Sequence, residues 1–228
     1  MQLIPGHTPP PMSILLIQNL LQLAAISLAL GACARIPVPR PRLYRLLFIM
    51  IVVDFIVEVA GSITTYFDRN NTAMYNFAFT TQFLVVLLMI RAEKPGWTRR
   101  LAMLAAVGLG AMGANLWVNG SLSFLLTEGM LVIGVMLSVA LLALLWDLAN
   151  TSDTPLQHVP EFWLNMGLLV YFGGMAPMVG LLRFIYMADP QLANRLWNIL
   201  PMLAITCYLL IFQACRLRGR YGYELNHG

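Results

Sequence analysis

Long apolar runs, separated by short polar stretches, succeed one another along the whole chain. Each run holds roughly 17–25 residues, enough to cross about 30 Å of hydrocarbon at about 1.5 Å per helical residue. Seven are counted, near Met12–Cys33, Leu46–Tyr66, Tyr75–Ile90, Leu101–Trp117, Phe124–Trp146, Phe162–Met187 and Leu196–Leu217. The pattern predicts an all-α fold, an integral membrane bundle of seven transmembrane helices forming one domain over residues 1–228. The third and fourth runs are the shortest, which suits a partly buried or tilted span.

Composition agrees with the pattern. The 228 residues are 59% hydrophobic and only 11% charged, far from the balance of a soluble domain. The formal charge is +4 and the isoelectric point about 9.2, which would suit nucleic acid if the basic residues were clustered for it. They are spread as membrane topology requires instead, so no nucleic-acid partner is expected. Arg35, Arg40, Arg42 and Arg45 follow the first run, Arg91, Lys94, Arg99 and Arg100 the third, and Arg216, Arg218 and Arg220 the seventh. Those are eleven of the fourteen basic residues; Arg69 and Arg195 lie in the opposite loops and Arg183 inside the sixth run. The positive-inside rule then puts the N-terminus outside and the C-terminus in the cytosol. Trp97, Trp146 and Trp163 fall at the inner ends and Trp117 and Trp197 at the outer ends, where an aromatic belt would stand. The opening MQLIPGHTPPPM has no basic n-region, so no signal cleavage is expected. Cys33, Cys207 and Cys215 form no even framework and read as small apolar filler.

Ionisable groups inside the runs change the picture. A charged side chain at mid-bilayer costs at least about 2.5–3.5 kcal/mol on insertion scales, so each needs a snorkelling route or an interior reason. Counted from Leu46, Asp54 lies about 12 Å up the second span and Glu58 about 18 Å, too deep for either short side chain to reach water. At i and i+4 they share one helix face, continued by Gly61 and Thr65, which should turn to the bundle interior or a wet cavity. So close a pair repels unless a proton, a cation or a cationic partner intervenes. Asn19, Gln22, Gln82, Asn115, Glu128, Arg183 and Asn198 lie at the middle or in the outer half, while the inner half holds fewer polar groups. That bias is what an outward-facing polar cavity would leave. The candidate ligand- or ion-binding residues are therefore Asp54, Glu58, Glu128, Arg183, Gln82 and Asn115, with Arg183 as counter-ion for Glu58 or Glu128. Beside this stands a purely structural account: Arg183 and Glu128 are near span ends and can snorkel, and amides often only join helices.

Two further features concern packing. In the fourth run Ala102, Ala106, Gly110 and Ala114 recur at intervals of four, which predicts a close-packing face. In the sixth, Gly173, Gly174 and Pro177 sit at the centre, and the proline predicts a kink that could serve as a hinge.

Enzyme chemistry is thinly provided. His7, His158 and His227 all lie in tails or a loop, which removes intramembrane zinc and Ser/His hydrolase readings. The only lysine, Lys94, is in a loop, so no Schiff-base lysine stands in the seventh run. No P-loop or dinucleotide fingerprint is present, and no cofactor or catalytic residue is assigned.

The order VDFIVEVAG, a short hydrophilic turn, MYNFAFTTQFLVV, and later PEFWLNMGLLVYFGG with LWNILPMLAITCYLLIF resembles a group of bacterial seven-helix membrane proteins. In that group similar segments precede, or are encoded beside, two-component histidine kinases. The resemblance implies a sensory module in the bacterial inner membrane, with Asp54, Glu58, Tyr75, Asn76, Phe162, Trp163 and Tyr171 at its characteristic positions. This chain departs from the fused form in ending at NHG without a kinase, so signalling is expected to pass to a partner at the cytosolic loops. G-protein-coupled receptors share the outside-in count, but IRAEKPG and TCYLLIFQ lack their signature triplets.

The expectation is a multi-pass membrane sensor or signalling-accessory protein, its outer-half polar cavity sensing a small ligand, a cation or pH. The alternative is a small proton- or cation-coupled transporter, although no internal repeat or paired broken spans are visible. A lipid-modifying enzyme using the two acids as general acid and base is the weakest of the three, for want of a nucleophile or metal ligands.

Overall fold

The computed structural model describes residues 12–67, 69–123, 125–189, 192–193, 196 and 198–227, with side chains except at 12–16, 182–184, 186–187 and 221–227. Among the described residues the chain is helical throughout, without strands. Seven helices are long and apolar enough to cross a membrane: α1 (Met12–Ala34), α2 (Arg42–Tyr66), α3 (Thr72–Glu93), α4 (Thr98–Asn119), α5 (Thr127–Thr151), α6 (Pro160–Ala188) and α7 (Ile199–His227). Length and composition thus fit a multi-pass membrane protein.

Most helices run past the apolar segments that predict them. Helix α2 begins at Arg42 rather than Leu46, and α3 covers 22 residues rather than the sixteen of its apolar core (Tyr75–Ile90). Arginine, glutamate and lysine are good helix formers, so the backbone continues through polar residues where the hydropathy signal stops. The short third and fourth runs are therefore full-length helices. Their ends have local causes. Lys94 precedes Pro95, and a residue before proline is pushed out of the α region, which closes α3. Pro160 opens α6 as its first residue, where the missing N–H is no loss. Gly120, with φ 64°, takes the left-handed conformation that ends α4, its N–H bonded to Leu116 O at 2.9 Å. Helix α6 continues through Pro177, which lies on its exposed side.

The helices form a closed ring in chain order, each packed on the next and α7 back on α1; the α5–α6, α6–α7 and α1–α7 contacts are the most extensive. One core runs through the bundle, with Tyr44, Phe83, Ile133, Leu137, Leu141 and Phe172 fully enclosed. The outer surface is apolar too: Ile56, Phe77, Met103, Val139 and Leu181 all point outward. Such a surface suits hydrocarbon, since a soluble monomer rarely exposes contiguous apolar patches beyond a few hundred Å². One end of the ring carries Arg35, Arg42, Arg91, Arg99 and Arg216 and is called the basic end below.

The small residues of α4 do not pack as their spacing predicts. Ala102, Ala106, Gly110 and Ala114 are all exposed, and a side chain at Gly110 or Gly113 would meet nothing within 4 Å. The packed face is Leu101, Gly108, Met112 and Asn115 instead. A stripe of alanines is equally compatible with lipid and with a neighbour, so the larger side chains and Asn115 decide which face turns inward. Close approach occurs elsewhere. At Gly134 of α5 a Cβ would come within 2.9 Å of Ala176 Cβ and 3.2 Å of Phe172 O on α6. Gly134→Leu should therefore lower the midpoint of thermal unfolding in detergent, costing about 1–3 kcal/mol by overpacking. Gly110→Ala should leave that midpoint unchanged or raised, since it adds helix propensity and meets no neighbour.

Candidate functional site

The polar face predicted on α2 turns inward at Asp54, Glu58 and Gly61 but not at Thr65, which is exposed where the helix ends. Asp54 is 3% exposed, and both its oxygens are bonded from other helices. Gln82 of α3 donates its Nε2–H to Oδ1 at 2.6 Å, and the Tyr208 hydroxyl of α7 donates to Oδ2 at 2.7 Å. One carboxyl group thus ties three helices together, joining α2 to the next helix in the chain and to the last.

Glu58, one turn further along, is half-buried and interacts electrostatically with Asp54. Gln22 of α1 stands within interaction range of its carboxyl group, which brings a fourth helix to the pair. Tyr75 of α3 lies across Gly61, where a Cβ would come within 3.0 Å of its ring carbon Cζ. Glycine at that point of the α2 face is what lets the tyrosine approach, and its hydroxyl stands within electrostatic reach of Glu58. Tyr171 of α6 feels both carboxyl groups, and Cys207 of α7 feels Asp54. The centre therefore draws side chains from α1, α2, α3, α6 and α7.

Chemically, two carboxyl groups among amides and phenols can take up and release a proton, or offer oxygen ligands to a cation. Among the described residues no cluster of three His, Cys, Asp or Glu could hold a metal ion. The site is thus a pair of acids in a shell of neutral donors.

The other sequence candidates are placed differently. Gln82 joins the Asp54 centre. Asn115 and Glu128 bond each other, Asn115 Nδ2–H donating to Glu128 Oε2 at 2.7 Å, while Thr127 Oγ1–H donates to the same oxygen at 3.0 Å. Asn115 Oδ1 also accepts from the Gly129 N–H at 3.2 Å, and Asn76 Oδ1 accepts from the Leu126 N–H at 3.1 Å. These two asparagines satisfy backbone donors at the start of α5, which otherwise lack partners, and dock that helix end on α3 and α4. The side chain of Arg183 lies outside the described residues, so its predicted pairing with Glu58 or Glu128 does too. Of the positions implied by the resemblance, Tyr75 and Tyr171 reach the acid pair, whereas Phe162 and Trp163 stack edge-to-face at the start of α6.

Toward the basic end lies a polar group that the sequence reading passed over. Asn165 Nδ2–H of α6 donates to Glu93 Oε2 of α3 at 3.1 Å, and the Tyr44 hydroxyl of α2 donates to Glu161 Oε1 at 3.4 Å. Asn165 is buried, although the inner half is expected to be the poorer in polar groups. Glu93 sits at the end of α3 in a charged stretch, where it reads as a surface residue, and nothing in its spacing signals a partner 72 positions away.

If the Tyr208–Asp54 bond holds α7 to α2, Tyr208→Phe should cost about 1–3 kcal/mol, because it strands a buried acceptor. The same change made in an Asp54→Leu background should cost less, since the acceptor is gone as well. A double-mutant cycle on thermal unfolding in detergent measures that coupling. Set against models of known protein families, curated proteins and solved structures, the chain matches none, so the reading of this acid pair rests on its own geometry.

Proposed function

We propose that the protein is a seven-helix membrane sensor whose Asp54–Glu58 pair is the sensing element, responding to protons or to a small cation. The observation that carries this reading is that Asp54 accepts hydrogen bonds from α3 and α7 at once, with Glu58 one turn along the same face interacting with it and with Gln22 of α1. Gaining or losing a proton, or taking a cation, changes which of those bonds a carboxyl can accept, and so biases how the helices sit against α2. From Tyr208, α7 runs on to Arg220, about 18 Å toward the basic end, so a shift at the pair has a rigid element to travel along. Signalling would then go to a separate protein at the loops of that end.

In this reading the basic end is cytosolic and the chain lies in a cell membrane, the bacterial inner membrane by the resemblance noted above. The charge asymmetry supports the orientation, with eleven basic residues at one end and two in the opposite loops. Trp117 and Trp146, both strongly exposed near the C-terminal ends of the successive helices α4 and α5 and so at opposite ends of the bundle, suit the two interfaces. Reporter fusions near residues 7 and 227 should therefore report opposite compartments, outside and cytosolic respectively. Matching compartments would rule out the seven-span topology.

The sensing role is tested with the full chain in nanodiscs, following native tryptophan fluorescence while pH or sodium concentration is stepped. The wild-type protein should respond. Asp54→Asn and Glu58→Gln should keep their thermal midpoints within a few degrees and lose most of the response, because shape is kept and charge removed. An undiminished response in the double variant would refute the role. A transporter would use the same pair, and it would reveal itself in liposomes as proton or sodium flux abolished by the same substitutions.

A further inference from the structure

A groove of about 950 Å³ opens between α1 and α7 near the basic end, away from the acid pair. Its wall on α1 includes Leu28, Gly31, Ala32 and Arg35 beside Ser27, and its wall on α7 is Phe212, Cys215, Arg216, Gly219 and Arg220. The spacing on each helix is the i, i+3, i+4 and i+7 or i+8 of a single face. Polarity is graded along it. Arg35 stands about 10 Å beyond Leu28 along α1, and Arg216 and Arg220 about 6 and 12 Å beyond Phe212 along α7, all toward the basic end.

Two observations suggest that the groove is meant to be filled. The first is glycine. Gly31 and Gly219 both line it, and a Cβ at either would meet nothing within 4 Å, so neither is there to let the helices touch. Each weakens its helix relative to alanine and leaves open floor. The second is charge. Lys94 is paired with Asp147, Arg40 donates to Ala34 O at 2.6 Å and Ile36 O at 3.3 Å, and Arg218 lies over the Tyr44 ring. Arg35, Arg216 and Arg220 are exposed and pair with no acid among the described residues.

The geometry points to an anionic phospholipid as the occupant of the α1–α7 groove, its phosphate held by Arg35, Arg216 and Arg220 and its acyl chain lying along Leu28, Gly31 and Phe212. A guanidinium cluster matches a phosphate diester, whose oxygens accept paired N–H bonds. The apolar depth below it matches the hydrocarbon attached to that phosphate, which a free anion lacks. The site is separate from the acid pair, and it stands or falls independently of the sensing role.

The test is native mass spectrometry of the full chain in detergent with added phosphatidylglycerol or phosphatidylcholine. The wild-type protein should retain phosphatidylglycerol in preference to phosphatidylcholine. Arg216→Gln with Arg220→Gln should weaken phosphatidylglycerol retention about thirtyfold, the worth of two basic side chains near an acidic lipid surface. Gly31→Phe should abolish retention while keeping the thermal midpoint, since it fills the groove without meeting a neighbour at its Cβ. Equal retention of the two lipids would overturn the inference, as would full retention in Gly31→Phe. Displacement of bound phosphatidylglycerol by millimolar inorganic phosphate would overturn it too, assigning the arginines to a free anion. If the double arginine variant does not fold, Gly31→Phe and the two-lipid comparison still decide.

Discussion

A carboxyl group inside an apolar bundle must find its hydrogen bonds in the protein, because hydrocarbon supplies none. That constraint organises the middle of this molecule. Asp54 meets it by accepting from Gln82 and Tyr208, which fixes the rotation of α2 about its axis and the depth of α3 and α7 against it. An apolar contact would tolerate sliding by a turn; a bonded carboxyl does not, since leaving a buried acceptor unmade costs about 1–3 kcal/mol. Glu58 extends the same constraint to α1 through Gln22.

Polar side chains join helices at two other levels. Asn76 and Asn115 hold the start of α5, while Glu93–Asn165 and Tyr44–Glu161 join α2, α3 and α6 toward the basic end. Between these levels the contacts are apolar, with close approaches at glycines such as Gly108 against Phe83, Gly129 against Met112, Gly134 against Ala176 and Gly167 against Cys207. Helices in lipid gain little from the hydrophobic effect, so close packing at small residues and a few inter-helical hydrogen bonds must hold the ring. Both are present: close glycine contacts recur from α2–α3 at Gly61 round to α6–α7 at Gly167, while the acid pair joins α1, α2, α3 and α7.

In the proposed reading, a centre that several helices share through one protonatable group is suited to bias them together. The groove of α1 and α7 at the basic end adds a place where the surrounding lipid could act on two of the same helices.

Seven helices, their order and the inward turn of Asp54 and Glu58 follow from the sequence, because apolar run length and the cost of a buried charge are local quantities. The direction of α4 does not follow from it. Its alanine–glycine stripe satisfies the spacing of a packing face, yet that stripe is exposed, since small residues tolerate lipid as well as a neighbour. Partner choice is the other quantity that only the tertiary structure decided. Gln82 and Tyr208 bond Asp54 across 28 and 154 positions, Asn165 bonds Glu93 across 72, and Cys33 meets Cys215 from opposite ends of the chain. Each residue could have been read as filler or as surface, because a side chain's periodicity tells which face it occupies and not which helix lies opposite. That second fact is set by how seven cylinders close into a ring.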